Sequence, residues 1–218
     1  MQTAAFIAAY MPLMTLEDVP VRLHLATPAS RISARLVRGG EAPPPYWAYR
    51  WSGGLALARH LFAHPELVRG RTVRDLGSGS GLVAIAAALN DAAAVTAVDI
   101  DPRAGVACGM NAAANGVGIS IESGDALAWE TPAEEVILAG DLFYDPDLAC
   151  RSETFLARCS AAGCTVLIGD PGRAPLPRGR LESVAAYEVQ EHDGRSPVRA
   201  EVLRLVRAPR THTSSPRT

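Results

Sequence analysis

The 218 residues contain no lysine, and all 21 basic side chains are arginine. Alanine is abundant as well, and a GC-rich coding sequence accounts for both biases. Long apolar runs are also missing. None approaches the roughly 18 residues that a transmembrane helix needs, so no membrane partner is expected. The opening stretch MQTAAFIAAYMPLMTLEDVP has an apolar patch but no basic n-region, and its acids Glu17 and Asp18 argue against a transit peptide. A cytoplasmic location is the expectation. Cysteine is scarce: Cys108, Cys150, Cys159 and Cys164 form no CxxC pair, and no Cys/His cluster has zinc spacing. Reduced structural thiols and no metal are expected. An excess of positive charge is absent too. The net charge of −2 carries no electrostatic footprint of a nucleic-acid binder. His24, His60, His64, His192 and His212 are scattered, and none is placed as a catalytic base.

What is present describes a soluble globular chain, 48% hydrophobic and 20% charged, of a length suited to one domain with a real core. Residues 1–42 show no clear period and are expected to form an N-terminal appendage of short elements. The run EAPPPYWAYRWSGG then breaks the pattern, because consecutive prolines fix an extended path before an aromatic cluster. The segment LALARHLFAHPELV has apolar residues at helical spacing, with Pro65 marking its end. From Arg71 onward, short β-rich runs alternate with helical stretches: TVRDLG, AVTAVDI, GISIE, EVILAGD and CTVLIGD are the runs. Continuously apolar strands in such alternation point to a parallel sheet covered on both faces. VAAYEVQ and VRAEVLRLVR leave no room for a helix between them and read as an antiparallel pair at one edge. The expected fold is therefore α/β, a Rossmann-like doubly wound sheet of seven strands over residues 43–208. The polar tail 209–218 is expected to be disordered.

Chemistry concentrates where strands end. In DLGSGSG, Gly77, Gly79 and Gly81 allow a tight turn and close backbone approach to a ligand at a helix N-terminus. Taken alone, such a turn serves many nucleotide binders. Asp75, which opens it, has little use beside a pyrophosphate but suits a ligand with a cationic amino-acid end, and so favours S-adenosylmethionine. Asp99 lies eighteen residues beyond Gly81 at the end of the second strand, where an acid can accept both ribose hydroxyls. Asp125 follows the third strand and is placed to meet the adenine amino group. Each acid alone reads as a turn or cap residue. Three on successive strand ends of one rim favour the cofactor.

The set PPPYWAYRWSGGLALARHL, DLGSGSGLVAIAAALN, DIDPRAGVACGMNAAANG, AGDLFYDPDLA and VLIGDPGR resembles the family 16 branch of the class I, seven-strand methyltransferases. It is most similar to the electron-transfer-flavoprotein β-subunit lysine methyltransferases and their bacterial relatives, often labelled nicotinamide N-methyltransferase-like. The resemblance implies S-adenosyl-L-methionine as cofactor, held by Asp75, Gly77, Ser78, Gly79, Gly81, Asp99, Ile100, Asp125, Ala126 and Gly140. It places an aromatic wall on Trp51, next to the atypically charged Arg50, and the diagnostic acid-x-x-aromatic motif on Asp141 and Tyr144. The implied partner is a protein with an accessible lysine, with the flavoprotein β subunit or a ribosomal stalk protein as target and the enzyme acting as a monomer.

A carboxylate raises rather than lowers the pKa of a neighbouring lysine, so Asp141 is unsuited to deprotonating the substrate. It suits holding the lysine and stabilising the ammonium charge that emerges at nitrogen. Tyr144, with Phe143 as a further candidate, would line the channel for the aliphatic stem. Asp145 and Asp147 read as turn and helix-start residues. Asn111 and Asn115 read as helix-end residues near the adenine side, and IGDPGR serves equally as a tight turn or a substrate contact. Alternatives are methylation of a small nicotinamide-like amine, and a non-catalytic cofactor-binding interaction module. An adenine methyltransferase fits less well, since DLFY stands where that class resembles Asp/Asn-Pro-Pro-aromatic.

Overall fold

A computed structural model describes residues 3–32, 44–190 and 196–206. The expected disordered tail lies outside the described residues. Helix α1 (Thr3–Tyr10) leads into a two-stranded antiparallel hairpin of β1 (Leu13–Thr15) and β2 (Arg22–His24). Helix α2 (Ser52–Ala63) ends before Pro65. The alternating portion follows: β3 (Thr72–Leu76), α3 (Leu82–Leu89), β4 (Ala94–Asp99), α4 (Pro102–Ala114), β5 (Ser120–Ser123), β6 (Val136–Gly140), α5 (Pro146–Ala162) and β7 (Thr165–Asp170). Strands β8 (Leu181–Val189) and β9 (Val198–Leu205) close the described chain.

The helix starts obey local chemistry. Asp101 accepts from the Arg103 amide and Asp145 from the Leu148 amide, each ahead of a proline at the first helical position, as N-caps do. The helix α5 stops at Gly163, which is left-handed at φ 114°.

The seven strands run in the order β5-β4-β3-β6-β7-β9-β8. The first five are mutually parallel, and β9 pairs antiparallel with both β7 and β8. The two-residue period of strands divides the core. Val73, Val95, Ala97, Val136, Leu138 and Leu167 face a layer made by α2, α3 and α4. Leu76, Val98, Ile137, Ala139, Val166 and Ile168 face α5. The sheet is thus covered on both sides, which is why its strands read as apolar runs. Strand order reverses between β3 and β6, and the crevice at their carboxyl ends is where ligands bind in open α/β sheets.

The N-terminal segment is fastened to this domain rather than hung from it. Phe6, Ile7 and Met11 share a buried cluster with Trp47, Ala104 and Ala107. Asn111 accepts from the His24 amide at 2.7 Å, and Asn115 pairs with both the amide and the carbonyl of Arg22. These asparagines, at the end of α4 as expected, hold β2 against that helix.

Candidate functional site

At the β3/β6 crevice lies a narrow cleft, open to solvent, with a cavity volume of about 50 Å³. Asp75, Gly77, Ser78 and Gly79 line it from the β3 side, and Gly140 and Asp141 from the β6 side. Tyr46, Tyr49, Arg50 and Trp51 close it from the segment before α2. Of these, Trp51 was expected as a cofactor wall, whereas Tyr46 and Tyr49 were not singled out. Their signal was the aromatic density of PYWAYRW itself.

The glycine-rich turn has left-handed φ at Gly77, Gly79 and Gly81, a region costly for side-chain-bearing residues. A Cβ on Gly81 would stand 2.6 Å from the Cys108 sulfur beneath it. Gly81 thus shapes the turn from outside the lining. The Gly79 amide donates to the Asp99 carboxylate at 2.9 Å, and the Asp101 amide donates to its other oxygen at 2.9 Å. Burial raises the Asp99 pKa, with the amide donors opposing.

Asp75 is 2% exposed and accepts a hydrogen bond from the Ala84 amide at 3.0 Å. Burial pushes its pKa up to about 8, the Ala84 amide opposes, and Asp99 adds to the rise. A buried carboxyl so poorly compensated, facing an open cleft, fits a ligand that brings positive charge. This is the feature by which the residues present fit the amino-acid end of S-adenosylmethionine.

Asp141 follows β6 with φ 58°. Its carboxylate accepts from the Gly53 amide at 3.1 Å, the Gly54 amide at 2.6 Å and Arg173 at 2.7 Å. The first two are amides of the opening turn of α2. The residue ahead of that helix, Trp51, makes no side-chain cap bond, so a carboxylate from another strand caps it. Burial raises the Asp141 pKa, against Arg173 and then the two amides. Asp141 is therefore a cleft residue and a helix cap at once. Arg173, from the IGDPGR turn, is itself gripped by Asp170, which accepts from its side chain at 3.1 Å and its amide at 2.7 Å.

The helix can lie this close to the sheet because the contact is glycine on glycine. A Cβ on Gly53 would overlap the Gly169 carbonyl oxygen, and one on Gly140 would sit 2.9 Å from the Gly54 Cα.

The remaining expected positions fall outside the lining. Tyr144 is 52% exposed, and its ring lies 5.5 Å from Tyr46, whose ring is 5.9 Å from Trp51. Burial is the main cause of its raised pKa. Phe143 is fully buried in the core facing α5, so it is corrected from channel candidate to packing residue. Ile100 stands 69% exposed after β4. Asp125 is ion-paired with Arg151 of α5, and Ala126 is buried in the α5-facing core. Neither lines the cleft.

Among the described residues no cluster of His, Cys, Asp or Glu could hold a metal ion. No described helix is long and apolar enough to cross a membrane.

Comparison with known proteins adds three findings. Residues 61–141 match the ribosomal protein L11 methyltransferase (PrmA) family. The chain is 44% identical to the electron transfer flavoprotein beta subunit lysine methyltransferase of Danio rerio over 71% of its own length and 60% of the relative's. Against the Rattus norvegicus protein of the same description it is 39% identical over 79% of itself and 68% of the relative. The chain thus spans about two thirds of these relatives. Among solved structures, an RNA methyltransferase from Salinibacter ruber in complex with S-adenosyl-L-homocysteine superposes with a TM-score of 0.51 at 17% identity, covering 73% of this chain and 96% of that one. At that identity the likeness speaks for the fold.

Proposed function

The chain belongs to the family of the electron transfer flavoprotein β-subunit lysine methyltransferases, and from that premise we propose that it methylates a lysine side chain of a partner protein. The flavoprotein β subunit is the first target to test, and a ribosomal stalk protein the second. Its cofactor is S-adenosyl-L-methionine. The observation that carries the reading is that one cleft joins Asp75, in need of a cation, with Asp141 and an aromatic group.

When bound, the cofactor supplies an electrophilic methyl group on a sulfonium, and the amine lone pair forms the N–C bond as the C–S electron pair stays on sulfur. The residues of the chain arrange this in-line approach. Asp75 would hold the cationic amino end, the amide-rich turn from Gly77 to Gly79 would receive its polar groups, and Asp99 would accept the ribose hydroxyls. Asp141 would accept a hydrogen bond from the acceptor nitrogen and orient it on the line of attack. Tyr46, Trp51 and Tyr144 would flank the aliphatic stem at the mouth, where aromatic faces also favour a methylated ammonium.

We place this activity in the cytoplasm, in a monomer without a nucleic-acid or membrane partner. The four cysteines support a reducing compartment, since all are free thiols. The charge balance supports the lack of a nucleic-acid partner.

The deciding experiment incubates the purified protein with methyl-labelled cofactor and host lysate, then with purified flavoprotein β subunit and stalk proteins. Label on lysine, located by mass spectrometry, is the expected result. Label confined to small molecules would instead select an amine methyltransferase, and binding without transfer a non-catalytic module.

A further inference from the structure

Capping a helix and pairing with arginine leave Asp141 with a definite remaining capacity. An ionised carboxylate offers about four lone-pair sites. Oδ1 receives both the Gly53 amide and Arg173, and Oδ2 receives the Gly54 amide. One site is left, on Oδ2. It can accept one N–H from an acceptor nitrogen, but the carboxylate does not present the bare negative charge that would favour an ammonium. The Arg173 guanidinium is not among the groups lining the cleft, and it meets the site through its bond to Asp141 Oδ1. It is also held in place, because Asp170, fully buried, accepts from both its amide and its side chain.

This arrangement bears on the difficulty that a lysine must shed its proton before it can attack. A lone carboxylate would hold the lysine as ammonium. A carboxylate already paired with a guanidinium does so far less. We infer that Arg173 is a positioning residue that cancels the charge of Asp141, so that the site accepts its lysine as a neutral amine whose proton has been left to water. The inference rests on the lysine methyltransferase reading above. The charged and titratable groups facing Asp141 are few. Arg173 and Asp170 approach from the turn after β7. The first turn of α2 contributes backbone amides. Across the cleft stand Asp75 and Arg50, and Tyr144 lies on the same segment as Asp141. Of these, Arg173 bonds the carboxylate directly, at 2.7 Å.

The test compares wild type, Arg173→Gln and Arg173→Lys on one lysine-bearing acceptor, measuring kcat and KM from about pH 6 to about pH 10, a span that brackets the free lysine pKa. The pH dependence of kcat reports the bound complex. For Arg173→Gln the acid limb of kcat should move up by about one to two pH units, while KM at neutral pH falls because ammonium is now welcome. Arg173→Lys keeps the charge and should stay close to wild type. An unmoved limb, or a raised KM with kcat intact, would overturn the inference, since a merely structural or substrate-contacting arginine would give those results. Should Arg173→Gln fail to fold, Arg173→Met carries the same comparison. A failure of the lysine reading itself shows separately, as wild type that labels no lysine.

Discussion

A carboxyl group that has lost its water and gained only one amide donor keeps its proton, and Asp75 is in that position at neutral pH, with its pKa pushed to about 8 mainly by burial. A cation arriving beside it reverses the balance. Binding of S-adenosylmethionine near pH 7 should therefore release close to one proton, measurable by calorimetry in buffers of different ionisation enthalpy. Asp75→Asn should bind more weakly and release none. Equal release by the variant would remove Asp75 from the cofactor's cationic end. The acid was legible in the sequence because it opens a glycine-rich turn at a strand end. Its neighbour in kind, Asp125, was legible only as an acid after a strand. The Arg151 that engages it lies 26 positions later on another helix, and no local pattern joins the two. Asp141 shows the same limit: its motif could be read, but the amides it caps lie 87 and 88 positions earlier.

Among the elements, α2 decides the geometry of the site, since it carries Gly53 and Gly54 against Asp141 and closes over the ends of β6 and β7. Its approach is set by backbone contact, with Gly53 and Gly169 each lacking room for a single added carbon. Gly53→Ala should force the helix outward, costing about 1–3 kcal/mol of stability, and should also loosen the cap on Asp141. Gly118→Ala is the matching control, because a Cβ there meets nothing within 4 Å. Urea unfolding of the two variants would separate them. If Gly53→Ala proved as stable as the control, the close packing would not be what fixes α2. The core strands and helices were readable because burial on both faces and helical spacing are properties of contiguous residues. The β1–β2 hairpin was not. All three residues of β1 are exposed, and its adjacent apolar Leu13 and Met14 do not alternate with polar residues, while β2 is held by Asn111 and Asn115 from about ninety positions away.

Across the whole molecule, two buried groups make stability depend on pH in opposite directions. His60 on α2 meets the Tyr187 hydroxyl of β8 at 3.0 Å. Burial first, then His64 and Arg204, lower its pKa from 6.5 to about 4, with Glu66 opposing. Between those values the unfolded chain holds the extra proton and the folded one does not, so this contribution is present above about pH 6.5 and is lost as pH falls towards 4. Asp75 behaves the other way. Its raised pKa means that the folded state holds the extra proton from about pH 4 to about pH 8, and its contribution falls as pH rises through that window. In the cofactor-free protein the two slopes oppose each other between about pH 4 and about pH 6.5. Asp99 and Asp141, whose pKa values burial also raises, act in the same direction as Asp75. Comparing Asp75→Asn with Asp75→Asn/His60→Gln cancels their shared pull, and the first should lose about 2 kcal/mol more unfolding free energy than the second from pH 7.5 to pH 5. A difference that does not change with pH would mean that the acid sensitivity of this fold arises somewhere other than the α2–β8 contact.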